Sequence, residues 1–145
     1  MSRLHIHIAV DNIDTNIAFY SALFGSEPSI ARPDYAKWEL DNPHVNFAIS
    51  TRGDKPGLDH IGIQAGDESE LQSIRQRLEE ADIRGMSEEG TTCCYAKSDK
   101  YWTTDPQGIA WESFHTLESA AIFGERPEAQ QKGSGCCTPD LSNCC

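Results

Sequence analysis

The chain has 145 residues, a formal net charge of −11 at pH 7 and a pI near 4.7. That length suits one domain with a buried interior, and the acidity excludes nucleic acid and anionic membrane as expected partners. No apolar run approaches the ~20 residues of a membrane helix and the N-terminus lacks a signal layout, so the expected location is the cytoplasm, where thiols stay reduced.

Residues 4–10, Leu-His-Ile-His-Ile-Ala-Val, alternate as a half-buried strand does. Ile6, Ile8 and Val10 share one face; His5, His7 and Ala9 share the other. Asp11, with Asp14 three residues on, is placed to cap a helix. Ile13, Ile17, Tyr20 and Phe24 recur at helical spacing as its buried stripe, and Gly25 ends it. Strand-like runs follow near 27–32, 35–40 and 44–50, with Asp41-Asn42-Pro43 turning the last pair. Residues 51–57, TRGDKPG, are polar and rich in breakers and read as a linker.

The pattern then restarts. Asp59-His60-Ile61-Gly62-Ile63-Gln64 matches Leu4 to Ala9 at an offset of 55 residues, so His60 falls on His5. Asp67 caps a second helix, Glu70 completes its capping box, and Leu71, Ile74, Leu78 and Ala81 form its buried stripe. Thr91 to Phe114 reads as three short strands, roughly 92–97, 100–104 and 109–114, separated by turn chemistry at Ser98-Asp99 and Asp105-Pro106-Gln107-Gly108. The expected fold is α+β: two tandem βαβββ modules, residues 1–50 and 58–117, pairing into one curved eight-stranded sheet around a site. Residues 118–145 read as a mobile, cysteine-rich tail.

Strand parity assigns the ligands. If the aliphatic faces of the two first strands pack under the helices, His5 and His60 point into the concave side. If Trp111 likewise lies under its helix, Glu112 joins them. Two imidazoles and a carboxylate around a cavity match the facial triad that holds non-haem Fe(II) with positions left open. His7 shares the inner face, but its repeat partner is Gly62, so the pseudo-symmetry favours His5.

All six cysteines occur as adjacent pairs: Cys93-Cys94, Cys136-Cys137 and Cys144-Cys145. Structural zinc sites use wider spacing, whereas two adjacent thiolates suit a soft, thiophilic centre; an incidental buried pair is the alternative. Neighbours in a regular strand point to opposite faces, so a loop or bulge is expected at 93–94, mobile without substrate. Tyr95, Tyr101 and Trp102 are candidates either for a pocket wall or for the core.

The tandem repeat, the two strand-one histidines and Asp105-Pro106-Gln107-Gly108 followed by Glu112 resemble the vicinal oxygen chelate superfamily of glyoxalases, extradiol dioxygenases and fosfomycin- and bleomycin-resistance proteins. Cys93-Cys94-Tyr95-Ala96, then Asp99-Lys100 and Trp102, with the cysteine-paired tail, resemble the organoarsenical C–As lyases, a group that includes a cadmium-induced relative. The resemblance implies Fe(II)- and O2-dependent cleavage of the carbon–arsenic bond of trivalent organoarsenicals such as methylarsonous acid, releasing arsenite. It gives the metal to His5, His60 and Glu112, and trivalent arsenic to Cys93 and Cys94. The competing readings are a non-catalytic protein sequestering cadmium or arsenite, and a glyoxalase-like metal-dependent lyase. Ala48 stands where the latter needs a second carboxylate.

Overall fold

A computed structural model describes residues 1–119, so Cys136, Cys137, Cys144 and Cys145 lie outside the described residues. The elements run β1 (Arg3–Ala9), α1 (Ile13–Phe24), β2 (Ile30–Arg32), β3 (Tyr35–Asp41), β4 (His44–Ser50), β5 (Gly57–Gln64), α2 (Glu68–Glu80), β6 (Met86–Cys93), β7 (Ala96–Thr104) and β8 (Ala110–Ser119). The eight strands form one sheet in the order β2-β3-β4-β1-β5-β8-β7-β6. Each βαβββ half contributes four strands, and the halves join where β1 pairs antiparallel with β5.

That junction carries the pseudo-symmetry. Ile6 pairs with Ile61, and on either side of this pair His5 faces Gly62 while His7 faces His60. A two-fold axis through the Ile6–Ile61 pair therefore exchanges His5 with His60 and His7 with Gly62, as the 55-residue offset requires. The parallel pairs extend the match. Ile6 lies beside Phe47 and His7 beside Ala48 in β1·β4, just as Ile61 lies beside Trp111 and Gly62 beside Glu112 in β5·β8. Ala48 thus occupies the counterpart of the Glu112 position.

Side-chain alternation sorts the faces. On β1, His5, His7 and Ala9 are buried inside, while Ile6 and Ile8 pack with α1 against a core of Val10, Ile13, Ala36, Trp38, Val45, Phe47 and Ile49. Tyr20 and Phe24 of α1 close on Phe47 at centroid distances of 4.5 and 5.1 Å. The second half has a smaller core, Ala65, Leu71 and Tyr101 with Leu78 against it. Ala81, expected in the buried stripe, is instead the exposed C-cap of α2.

The helix ends show which signals prevailed. Asn12, not Asp11, caps α1, its side chain accepting from the Thr15 N–H, and Gly25 closes the helix at φ 66°. Asp67 caps α2 as expected and accepts from the Glu70 N–H; Glu70 reaches back to the N–H of Gly66, one residue earlier than a capping box would.

The largest departure lies in the second half. β6 begins at Met86, and the turn chemistry at Ser98-Asp99 is absorbed into the middle of β7. Asp99 Oδ1 accepts from the Gly90 N–H, beside the break in β6–β7 register between Glu88 and Thr91. The hairpin turn is Cys94-Tyr95, with Cys93 and Ala96 as the last pair. Both turn residues have positive φ, 55° and 61°, the signature of a two-residue type I′ turn. Asn-Gly usually fills that turn; a Cβ at such a position costs roughly 1–2 kcal/mol per residue. The turn at Asp105 follows the sequence reading: its carboxylate accepts from the N–H groups of Gln107 and Ile109 and delivers the chain into β8.

Candidate functional site

Three acceptor atoms converge on the inner face of the β1/β5/β8 seam. His5 Nε2 and His60 Nε2 lie 3.1 Å apart, and Glu112 Oε2 lies 3.5 Å from the first and 3.2 Å from the second. All three side chains are buried. The far side of each ring fixes its tautomer. His5 Nδ1–H donates to the carbonyl of Asn46 at 3.1 Å, and His60 Nδ1–H donates to Asp59 at 2.9 Å. A carbonyl and a carboxylate can only accept, so both Nε2 atoms turn lone pairs inward. Two lone pairs and a carboxylate oxygen facing one another repel unless a cation or a proton sits between them. Cis donors around an octahedral ion at ~2.1 Å stand about 3.0 Å apart, close to the separations found here.

Gly62 permits this approach. A Cβ there would stand 1.9 Å from the carbonyl oxygen of Glu112, so only glycine lets β5 lie against the carboxylate-bearing strand.

A fourth charge completes the arrangement. Lys100 of β7, itself buried, places Nζ on Glu112 Oε1, which leaves Oε2 to the histidines. Its ammonium also lies 5.8 and 5.9 Å from the ring centres of Trp102 and Phe114. Burial favours the neutral acid at Glu112, but Lys100 and His60 outweigh it and hold the carboxyl well below its ordinary value. Burial works against charge at His60 too, yet Glu112 and the Asp59 hydrogen bond push its pKa up to about 9. His5, desolvated and beside His60, falls to about 4. Without a metal, then, His60 carries the proton between the converging acceptors.

The thiols line the same cavity. His5, Glu112, Lys100, Cys93, Cys94 and Tyr35 all line a space of about 30 Å³, with Asn46 and Phe114 among its other walls. That volume is about one or two water molecules. The hairpin turn resolves the parity problem at residues 93–94: Cys93 Sγ and Cys94 Sγ stand 3.1 Å apart on one side of the chain. Arg52 Nη1 donates to Cys93 Sγ at 3.0 Å. The Cys94 hydrogen bond, against the cost of burial, and then Lys100 and Arg52 lower the Cys93 pKa to about 6; the Cys94 thiol is raised in turn. The pair is a thiolate and a thiol at neutral pH.

Strand parity put His5, His60 and Glu112 on one inner face, where the structure brings them together, and the break expected at residues 93–94 is the Cys94-Tyr95 turn that sets both thiols on one side. The sequence reading missed Lys100, Arg52, Asp59, Asn46 and Tyr35. Lys100 carried a signal, a lysine on the inner parity of β7, two residues from Trp102; Arg52 lay in the linker and carried none. Among Tyr95, Tyr101 and Trp102, none lines the cavity. Tyr101 and Trp102 are core residues, and the Tyr95 hydroxyl donates to Asp34. The aromatic walls are Tyr35 and Phe114.

Comparison with known proteins identifies the family and the fold. The family model described as Glyoxalase/Bleomycin resistance protein/Dioxygenase superfamily matches residues 2–113. A protein of Bacillus sp. (strain MD1) named trivalent organoarsenical cleaving enzyme is 38% identical over 160 residues, covering 100% of this chain and 99% of that one. The cadmium-induced protein CadI of Mycobacterium tuberculosis is 34% identical over 146 residues, covering 100% and 93%. Among solved structures, the Mn(II)-bound glyoxalase from Novosphingobium aromaticivorans superposes with a TM-score of 0.58 at 21% identity, covering 88% of this chain and 44% of that one.

Proposed function

The chain belongs to the glyoxalase/bleomycin resistance protein/dioxygenase superfamily, and on that premise we propose that it is a metal-dependent enzyme cleaving the carbon–arsenic bond of trivalent organoarsenicals. One observation carries the reading: a vicinal thiol pair lines the same cavity as His5 and Glu112 of the converging acceptors. The metal donors in this proposal are His5, His60 and Glu112. They fit a divalent cation because their inward atoms are all acceptors, 3.1–3.5 Å apart, with tautomers fixed from behind. The ion is proposed to be Fe(II), which when bound supplies the site with dioxygen chemistry.

The remaining chemistry belongs to side chains of this chain. Trivalent arsenic of the R–As(OH)2 type exchanges hydroxyls for sulfur. The Cys93 thiolate displaces one hydroxide, forming the first As–S bond. Cys94 forms the second, and its proton leaves with the other hydroxyl as water. The products are R–As(S)2, one hydroxide and one water, so no oxidant is needed for capture. The Cys94 hydrogen bond, then Lys100 and Arg52, hold Cys93 ionised for this step. The turn then fixes arsenic on the wall facing the metal donors, and positioning of this kind is worth up to ~7–11 kcal/mol in favourable cases. Lys100 keeps Glu112 ionised and directs a single carboxylate oxygen inward.

The test is a loading experiment. Protein charged anaerobically with Fe(II) and given methylarsonous acid releases arsenite only once air is admitted. Pentavalent methylarsonate stays inert until reduced, because thiolates do not bind it directly. A protein that binds the trivalent arsenical stoichiometrically yet releases no arsenite in air is a sequestrant, and the enzymatic reading is then wrong.

A further inference from the structure

One buried imidazole of the inner face, His7, stands outside the set of His5, His60 and Glu112. His7 is 2% exposed and lies directly opposite His60 across the β1·β5 junction. Its Nε2 bonds to Ser50 Oγ at 2.8 Å, while its Nδ1 is buried with no hydrogen-bond partner. Each of His5, His7 and His60 presents a ring nitrogen within 4.8 Å of the others. The His7 and His60 ring centres are 4.8 Å apart.

The pseudo-two-fold explains why a fourth group stands here. In the second half the carboxylate comes from β8 and reaches over Gly62 of β5. In the first half the roles of the two strands are exchanged: β4 offers only Ala48, and the adjacent β1 residue is His7. Small residue and polar group have traded strands, so at these matched register positions each half still places two potential metal donors on the inner face. The first half sends His5 and His7; the second sends His60 and Glu112.

We propose that His7 is a fourth protein donor to the metal, giving this chain a three-histidine, one-carboxylate site. The inference rests on the metal-site reading above and adds to it a ligand that strand parity alone did not select. Donors trans to one another across an octahedral ion stand ~4.2 Å apart. The ring nitrogens of His5, His7 and His60 lie within 4.8 Å of one another, close to that span, so His7 is within reach of a shared ion by a ring adjustment beside Ser50. Four donors leave two coordination positions open rather than three.

The experiment counts coordinated histidines in the full-length protein loaded with Co(II). Each imidazole bound to this paramagnetic ion gives one far-shifted, exchangeable N–H proton resonance. The expected count is three in the wild type and two in His7→Phe, with Co(II) affinity falling roughly 10- to 100-fold in the variant. Two resonances in the wild type overturn the proposal without recourse to any variant. So does a third resonance that survives His7→Phe, since it then belongs to His44 or His115. A wild type with no shifted resonances, or with resonances that persist in both His5→Ala and His60→Ala, removes the metal site itself and His7 with it. The two failures are thus distinguishable.

Discussion

Replacing Lys100 by methionine keeps most of the side-chain volume and removes the charge, so it isolates what the buried ammonium does. In the metal-free protein Glu112 loses the cation on Oε1 and keeps only His60, 3.2 Å from Oε2. Removing one partner of a buried ion pair typically costs ~3–5 kcal/mol because the other charge is left uncompensated. The His60 proton remains, which places the expected loss at the lower end, about 3 kcal/mol. For a domain of this size that is a fall in Tm of about 10 °C. A bound divalent cation neutralises Glu112 directly, so loading with Co(II) should raise the Tm of Lys100→Met more than that of the wild type. Urea or thermal unfolding of both proteins, with and without Co(II), measures the difference. A metal-free Lys100→Met as stable as the wild type, or equal metal stabilisation of the two, would refute the assignment of Lys100 as the counter-charge of Glu112.

Other expected outcomes follow from the same side chains. The Cys93 thiolate should give a step in 240-nm absorbance centred near pH 6, absent in Cys93→Ser and shifted upward in Arg52→Met. Folding lowers this thiol from its ordinary value of 9.0, so its contribution to stability is complete above about pH 9 and lost as the pH falls through about 6. His60 holds a proton up to about pH 9 in the metal-free site, so Co(II) binding at pH 7.5 should release about one proton from it. Calorimetric titration in buffers of different ionisation enthalpy reads that number, and a value of zero contradicts the shared-proton site. Cys94→Gly relieves a positive φ of 55° and should stabilise the metal-free protein by about 1 kcal/mol in urea unfolding, while abolishing tight binding of trivalent arsenicals. Removing residues 130–145 should leave single-turnover arsenite release intact, and a truncated protein as inactive as Cys93→Ser would assign the tail thiols to the site.

Much of the architecture was legible in the order of the residues. Alternation in Leu4 to Val10, its return at Asp59 to Gln64 and the helical stripes around Tyr20 and Leu71 are short-range patterns, set by strand and helix periods that the solvent enforces locally. The same parity placed His5, His60 and Glu112 on one face, because on each of their strands the alternating apolar neighbours face the helix. Other features belong to the tertiary structure alone. Ser98-Asp99 is good turn chemistry, yet it lies inside β7, because pairing with β8 from Ala96 to Thr104 outweighs a local preference of a fraction of a kcal/mol. The turn falls instead on Cys94-Tyr95, where no turn residue advertises it. Arg52 and Lys100 act through contacts between different elements, whereas Asp59 bonds its own neighbour His60. The repeat favoured His5 over His7; only the β1·β4 and β1·β5 registers showed that Ala48 and Gly62 are the small residues over which His7 and Glu112 are set. Periodicity fixes which face a side chain takes, but only strand register decides which other side chains it meets there.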